Sequence, residues 1–180
     1  MGTEIEKKYK LTGEQVEPLR RRLEDVGAGA GAGAEFEENV IYNGPGLDPQ
    51  RRVLRLRRKN GRAIFTFKER GASASAIKRQ REDETEVSDA DALASILDAL
   101  GYRPALVYEK RRETWQVGGA EVVLDELPFG LFVEIEGEED EILAAEKLLG
   151  LESAEAEHAP YPELTLRHGT TRDGVVEARF

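Results

Sequence analysis

Cysteine is missing from all 180 residues, which excludes disulfides, thiolate nucleophiles and zinc held by sulfur. Histidine is scarce at two, and neither His158 nor His168 has a partner acid at ligand spacing, so both read as solvated residues in loop-like segments. Ser73, Ser75 and Ser95 have no nearby His base, which removes serine-hydrolase chemistry. The glycine-rich stretch from Gly27 to Gly33 follows a helix and lacks the Lys-Ser/Thr of a phosphate-binding loop. No apolar run approaches the ~20 residues needed to cross a bilayer. The opening Met1-Gly2-Thr3-Glu4-Ile5-Glu6 has no apolar signal region. The expectation is a cytoplasmic protein with no membrane partner. Positive charge is outweighed as well: 26 Lys and Arg stand against 36 Asp and Glu, a net −10. A phosphate backbone demands the opposite balance, so no nucleic-acid partner is expected.

What is present is unevenly distributed. Arg51 to Arg81 holds twelve bases and one acid, Glu69, a local charge of +11. Glu134 to Glu163 holds eleven acids and one base, Lys147, a local charge of −10. Two solvated surfaces would explain this, and so would a site that sets a cation cluster against a carboxylate cluster.

At this length one domain is the default, so residues 1–180 are read as a single unit. Three helices stand out. Thr12-Gly13-Glu14-Gln15 forms a capping box ahead of Val16, Leu19, Leu23 and Val26, closed by Gly27. Ser88-Asp89-Ala90-Asp91 opens a second, with Leu93, Ile96, Leu97 and Leu100 on one face. A third runs from about Glu138 to Leu149, with Gly150 as its stop. Gly27 to Ala34 is a Gly-Ala repeat that reads as a flexible loop. Most of the remainder alternates like strand, and Asn60-Gly61 suits the primed turn of a two-residue hairpin. The pattern is α+β, an antiparallel sheet with helices packed outside it.

Strand parity then sorts the charges, because side chains alternate between sheet faces. Leu54 and Leu56 take one face and Arg55 and Arg57 the other. Across the turn, Phe65 and Phe67 oppose Thr66 and Lys68. Glu4, Glu6 and Lys8 share a face, as do Glu82, Glu84 and Glu86. Lys110 and Arg112 sit two apart. Asp125 alternates against Val122 and Leu124, and Glu134 and Glu136 against Val133 and Ile135. Trp115 and Phe132 read as packing residues. Alternating charge commonly marks the wet face of a half-buried sheet. Like charges at i and i+2 on so many strands repel, however, and are better used in a closed barrel with a charged lumen. Such a lumen suits a polyanion: Arg and Lys for a triphosphate, Glu-x-Glu pairs for Mg²⁺.

These segments resemble the CYTH superfamily, the triphosphate tunnel metalloenzymes, over roughly Thr3 to Gly150. Glu4-Ile5-Glu6-Lys7-Lys8 matches its ExExK signature. The ordered series Leu54-Arg55-Leu56-Arg57, Phe65-Thr66-Phe67-Lys68, Glu82-Asp83-Glu84, Glu109-Lys110-Arg111-Arg112, Leu124-Asp125 and Val133-Glu134-Ile135-Glu136 follows. The resemblance implies a closed antiparallel barrel of about eight strands that forms a charged tunnel, with helices outside. It implies that Glu4, Glu6 and Lys8 are catalytic and that Lys8, Arg55, Arg57, Lys68, Lys110 and Arg112 bind phosphate. Glu4, Glu6, Glu82, Glu84, Asp125, Glu134 and Glu136 would hold Mg²⁺ or Mn²⁺, and a register shift of two would bring in Glu86. The implied partner is a triphosphate-bearing small molecule; a homodimer is left open. The implied activity is metal-dependent hydrolysis of inorganic triphosphate, nucleoside triphosphates or thiamine triphosphate. A class IV adenylyl cyclase and a non-catalytic polyphosphate- or nucleotide-binding module are the alternatives. The chain departs from the pattern at Asn39-Val40-Ile41-Tyr42-Asn43, where relatives carry Asn-x-Tyr-Tyr-Asp, and at Pro160-Tyr161, where they often have Ser-Tyr. The tail from Leu164 to Phe180 has no implied role.

Overall fold

The computed structural model describes residues 2–26, 29–30, 33–70 and 77–180. In chain order the elements are β1 (Gly2–Leu11), α1 (Gly13–Asp25), β2 (Gly29–Ala30), β3 (Glu35–Asn43), β4 (Arg52–Lys59), β5 (Arg62–Arg70), β6 (Lys78–Val87) and α2 (Ala90–Ala99). There follow β7 (Arg103–Val117), β8 (Ala120–Leu127), β9 (Gly130–Glu136), α3 (Glu139–Leu149), α4 (Tyr161–His168), β10 (Thr170–Arg172) and β11 (Val175–Ala178). Eight strands close in the order β7-β3-β4-β5-β6-β1-β9-β8 and back to β7, each antiparallel to both neighbours. The fold is thus the α+β closed barrel with external helices that the strand pattern implies.

Local chemistry sets the elements. Gln15 closes the capping box of α1 by accepting the Thr12 backbone N–H at 2.8 Å, which satisfies a donor the helix leaves orphaned. The Asn60-Gly61 turn has both residues at positive φ, 49° and 74°. That is what a type I′ hairpin needs to keep Lys59 opposite Arg62. Gly150 ends α3 in the left-handed region at φ 67°, and the Arg22 guanidinium of α1 donates to the Leu149 carbonyl at 2.6 Å.

The apolar halves of the strands face outward and are covered by helices. Leu19 and Leu23 of α1 and Ile142, Ala145 and Leu149 of α3 bury Ile5, Tyr9, Val122, Leu124, Val133 and Ile135. Leu93 and Leu97 of α2 cover Val40, Leu54, Leu56, Phe65 and Phe67. Each such side chain contributes roughly 1.5–3 kcal/mol when fully buried. The core therefore lies outside the barrel, which leaves the interior free for charge.

The sequence reading missed α4. His168 is the last residue of that helix rather than part of a loop, and the short span begins immediately after Pro160, with Pro162 in its first turn. The tail completes α4 and then forms the β10–β11 hairpin, with β11 running parallel to residues 106–108 of β7. Arg179 fastens the end to Glu38 and Glu109, both at 2.8 Å. Of the Gly-Ala segment, residues 27, 28, 31 and 32 lie outside the described residues, as do Ser73 and Ser75. Gly29 and Ala30 pair with Gln116 and Trp115, so that part is strand, not loop. None of the described helices is long and apolar enough to cross a membrane.

Candidate active site

The barrel encloses a cavity of about 290 Å³. Lys8, Arg55, Arg57, Lys68, Lys110 and Arg112 all line it, together with Glu4, Glu6, Glu134 and Glu136. Parity explains the convergence: each comes from the polar face of a strand whose other face is held by the helix-covered core.

The lumen is cross-linked by charge. The Lys68 ammonium lies 2.6 Å from Glu4 and 3.0 Å from Glu82. The Gln80 amide also donates to Glu4, at 2.5 Å. Arg55 reaches Glu84 at 3.2 Å and Glu82 at 3.7 Å, while the Thr66 hydroxyl donates to Glu84 at 2.8 Å. On the opposite wall Arg112 grips Asp125 with two bonds of 2.7 and 2.5 Å and reaches Glu134 at 2.7 Å. Tyr161 of α4 enters the cavity and donates its hydroxyl to Asp125 at 2.8 Å. The Lys8 ammonium lies 4.1 Å from the centre of the Tyr161 ring and 3.6 Å from Glu134. Such a contact to an aromatic face holds a cation without neutralising it.

Protonation follows from these contacts. Burial pushes Glu82 up to about 8, and the Glu4 carboxylate adds to this against the pull of Lys68. Burial acts on Glu4 in the same sense, but Lys68 with the Glu82 and Gln80 hydrogen bonds outweighs it and holds Glu4 below the usual range. Of the two, Glu82 retains the proton at neutral pH. Burial opposes the charge on Asp125 too, yet Arg112, Lys110 and the Tyr161 hydroxyl hold its carboxyl well below the ordinary value. Burial and then the Arg112 guanidinium bring Lys110 down to about 8, against Asp125 and Glu37.

Among the described residues no three His, Asp or Glu side chains form a ready-made metal cage. The donor chemistry still fits a hard divalent cation. Glu6, Glu136 and Glu121 stand in register on β1, β9 and β8, an opposition of like charges that is unfavourable without a cation between them. Partial burial and the carboxylates of Glu4, Glu121 and Glu6 push Glu136 up to about 7 despite Lys68. An all-oxygen donor set suits Mg²⁺ or Mn²⁺. Glu82 and Glu84 point inward as parity requires and contact Lys68, Arg55 and Thr66, while Glu82 also hydrogen-bonds to Glu4 and to Glu84. Glu86 lies apart, 4.0 Å from Arg62, while Glu82 and Glu84 pair across the sheet with Lys68 and Thr66.

Several lumen groups escaped the sequence reading. Lys78 lines the cavity 3.4 Å from Glu6. Asn39, fully buried, accepts a bond from Arg57 at 3.1 Å. Glu37 is 0 % exposed, 3.4 Å from both Arg57 and Lys110. The signal was available in Glu37-x-Asn39, but Glu35-Phe36-Glu37-Glu38 puts acids on both faces and hides it.

Glu37 carries a pH prediction. Burial raises its pKa, but Lys110, Arg57 and Arg112 outweigh burial and bring it to about 2 from an ordinary 4.5. A depressed carboxyl stabilises the fold above its unfolded pKa, and that contribution is lost as pH falls from about 4.5 through 2. The loss expected is on the order of 3 kcal/mol. Urea unfolding from about pH 6 to about pH 2 should show a steeper acid decline in the wild type than in Glu37→Gln. Parallel declines would remove Glu37 as a cause.

Comparison with known proteins agrees with this geometry. A CYTH domain model matches residues 2–159. A search of curated proteins finds no match. Among solved structures, the PH1012 protein of Pyrococcus horikoshii is 27% identical, with 89% of this chain and 98% of that one covered and a TM-score of 0.77. An adenylyl cyclase-like protein of Hippeastrum with a dominant triphosphatase activity is 17% identical, over 96% and 98% of the two chains, with a TM-score of 0.69. An adenylate cyclase-like protein of Vibrio parahaemolyticus is 23% identical, over 89% and 96%, with a TM-score of 0.69. The last two, at their identities, speak for the fold alone. With the barrel, the charged lumen and the domain model coinciding over most of its length, the chain belongs to the CYTH family.

Proposed function

We propose that this protein is a divalent-metal-dependent phosphohydrolase acting on the triphosphate moiety of a small molecule. The observation that carries the reading is the convergence of Lys8, Arg55, Arg57, Lys68, Lys110 and Arg112, from four strands, on one enclosed cavity that also holds Glu4, Glu6, Glu134 and Glu136. Arg can hold two phosphate oxygens at once, and charge-assisted contacts of this kind are the strong ones.

A count of charge supports the metal. Lys78 joins the six expected cations, and against these seven stand the seven expected carboxyls with Glu37 and Glu121. At the rim Arg79 and Glu163 cancel. Even with both Glu82 and Glu136 protonated, the lumen has no surplus positive charge to meet a triphosphate of about four negative charges. Glu6 and Glu136, with Glu4 and Glu134, would hold the cation, which when bound neutralises phosphate oxygens as charge develops. The chain's own groups do the rest. Arg55, Arg57, Lys110 and Arg112 fix the phosphates in line, Lys8 meets them from its place over the Tyr161 ring, and Glu4 or Glu6 orients the attacking water.

The test is incubation with inorganic triphosphate, ATP and thiamine triphosphate in Mg²⁺, with orthophosphate, pyrophosphate and cyclic AMP resolved. Orthophosphate release over many turnovers is the expected result. Cyclic AMP with pyrophosphate would make the protein a cyclase, and stoichiometric binding without turnover would make it a binding module.

Substrate length gives a second check. Arg57→Gln removes one cation from the set, so triphosphate affinity should fall roughly 10–100-fold, the worth of one charged hydrogen bond or two. A monophosphate can use the remaining cations and should lose less than about 3-fold. Equal losses would indicate a generic anion patch.

A further inference from the structure

Glu37 is the lumen group that the proposed function leaves unused. It is fully buried, and neither carboxylate oxygen accepts a hydrogen bond among the described residues. Its contacts are purely electrostatic: Arg57 and Lys110 at 3.4 Å and Lys59 at 3.6 Å. These exceed the 2.7–2.9 Å of a committed charge-assisted bond. Lys110 is divided between two carboxylates, 3.4 Å from Glu37 and 3.4 Å from Asp125, to which it donates a long hydrogen bond. Glu37 itself does not line the cavity, whereas Arg57 and Lys110 do. A carboxylate thus stands directly behind two of the cations that would meet phosphate.

We infer that Glu37 is a resident counter-anion: a positioning residue that holds Arg57 and Lys110 while the tunnel is empty and competes with phosphate for them when it is filled. The inference rests on the reading of these cations as phosphate ligands. Its physical basis is simple. Three buried cations, Arg57, Lys110 and Arg112, all lie within the electrostatic reach of Glu37. Asp125 already offsets Arg112 and part of Lys110. Glu37 adds the carboxylate that Lys110 shares with Arg57, without which the cluster would repel itself more strongly. The contacts are long and fall on one Glu37 oxygen, so neither cation is locked to it and each can turn toward a stronger anion. Asn39 holds Arg57 and Asp125 holds Lys110 from the other side. The cost is affinity, because every phosphate bound in front of Arg57 and Lys110 feels the negative charge behind them. The benefit is a folded empty tunnel and products that leave.

The sign of one measurement separates this role from its rivals. A phosphate-organising or merely structural residue, once replaced, should leave binding unchanged or weaken it; a resident competitor should strengthen it. Glu37→Gln preserves volume and removes the charge. With Mg²⁺ and imidotriphosphate, whose P–N–P links resist hydrolysis, calorimetry should show binding about 10-fold tighter than in the wild type. The ligand-free variant should melt at a lower temperature, and the rise in melting temperature on adding the probe should exceed that of the wild type. Unchanged or weaker binding would overturn the inference. Should Glu37→Gln fail to fold, Glu37→Asp decides. Its carboxylate recedes from both cations, so it should bind the probe about 3-fold tighter, and no gain overturns the inference equally. A wild type that binds no imidotriphosphate would instead refute the proposed function, whereas a wild type that binds it with no gain in either variant refutes the counter-anion alone.

Discussion

Glu136→Gln is expected to lower Mg²⁺-dependent turnover roughly 100-fold or more without lowering the unfolding midpoint. The combination follows from where Glu136 sits. It faces Glu6 on β1 and Glu121 on β8 across the sheet and is relatively exposed. Its side chain makes no hydrogen bond or ion pair among the described residues, and the one attraction it gives up is the longer-range pull of Lys68. Partial burial and then the neighbouring carboxylates push it up to about 7, and removing one of these like charges should relieve repulsion, not create it. What the variant loses is a hard oxygen donor. Raising Mg²⁺ should recover part of the activity, because the loss lies in metal affinity. Undiminished activity at limiting metal would remove Glu136 from the metal site. Equal loss at every metal concentration would assign it another role.

Asp125→Ala should act in the opposite way and cost stability first, by about 3–5 kcal/mol. Asp125 is 1 % exposed and meets Arg112 through two bonds of 2.5 and 2.7 Å, Tyr161 at 2.8 Å and Lys110 at 3.4 Å. Truncation leaves Arg112 and Lys110 buried with one fewer anion, and breaking a buried pair is far costlier than replacing both partners. Glu134 at 2.7 Å from Arg112 supplies partial compensation, which places the expected value toward the lower end. It also releases the Tyr161 hydroxyl of α4. Urea unfolding at neutral pH measures the loss; a change below about 1 kcal/mol would show that the network relaxes around the gap.

The barrel was legible because period-two alternation carried two independent signals on the same strands. Leu54 and Leu56 demanded cover, Arg55 and Arg57 demanded the other face, and the Asn60-Gly61 turn fixed β5 against β4. The six cations could be named from the same rule. Their partners could not, because contacts such as Arg112 to Glu134 or Lys68 to Glu4 are set by closure of the sheet, not by spacing along one strand. Glu37 was hidden by its acidic neighbours on both faces. The helix that delivers Tyr161 was hidden by its eight-residue length and by Pro160 and Pro162, which read as loop but here serve as an N-terminal boundary. Glu82 and Glu84 share the inward face that parity assigns them, and their neighbours in the structure are cations as well as carboxyls.

The position of β1 in the barrel also bears on how the chain comes to be folded. β1 precedes both of its partners in the chain and pairs with β6 on one edge and β9 on the other. It finds its first partner only after residue 78 and its second only after residue 130. Until then Glu4, Glu6 and Lys8 remain apart from the residues they face in the finished lumen. Closure is thus a late, long-range event, subject to the slow kinetics of high contact order, on a scale of roughly milliseconds to seconds. Nascent chains pass through an open sheet whose two edges wait for the same ten residues. That interval is when wrong pairing between chains competes with ring closure.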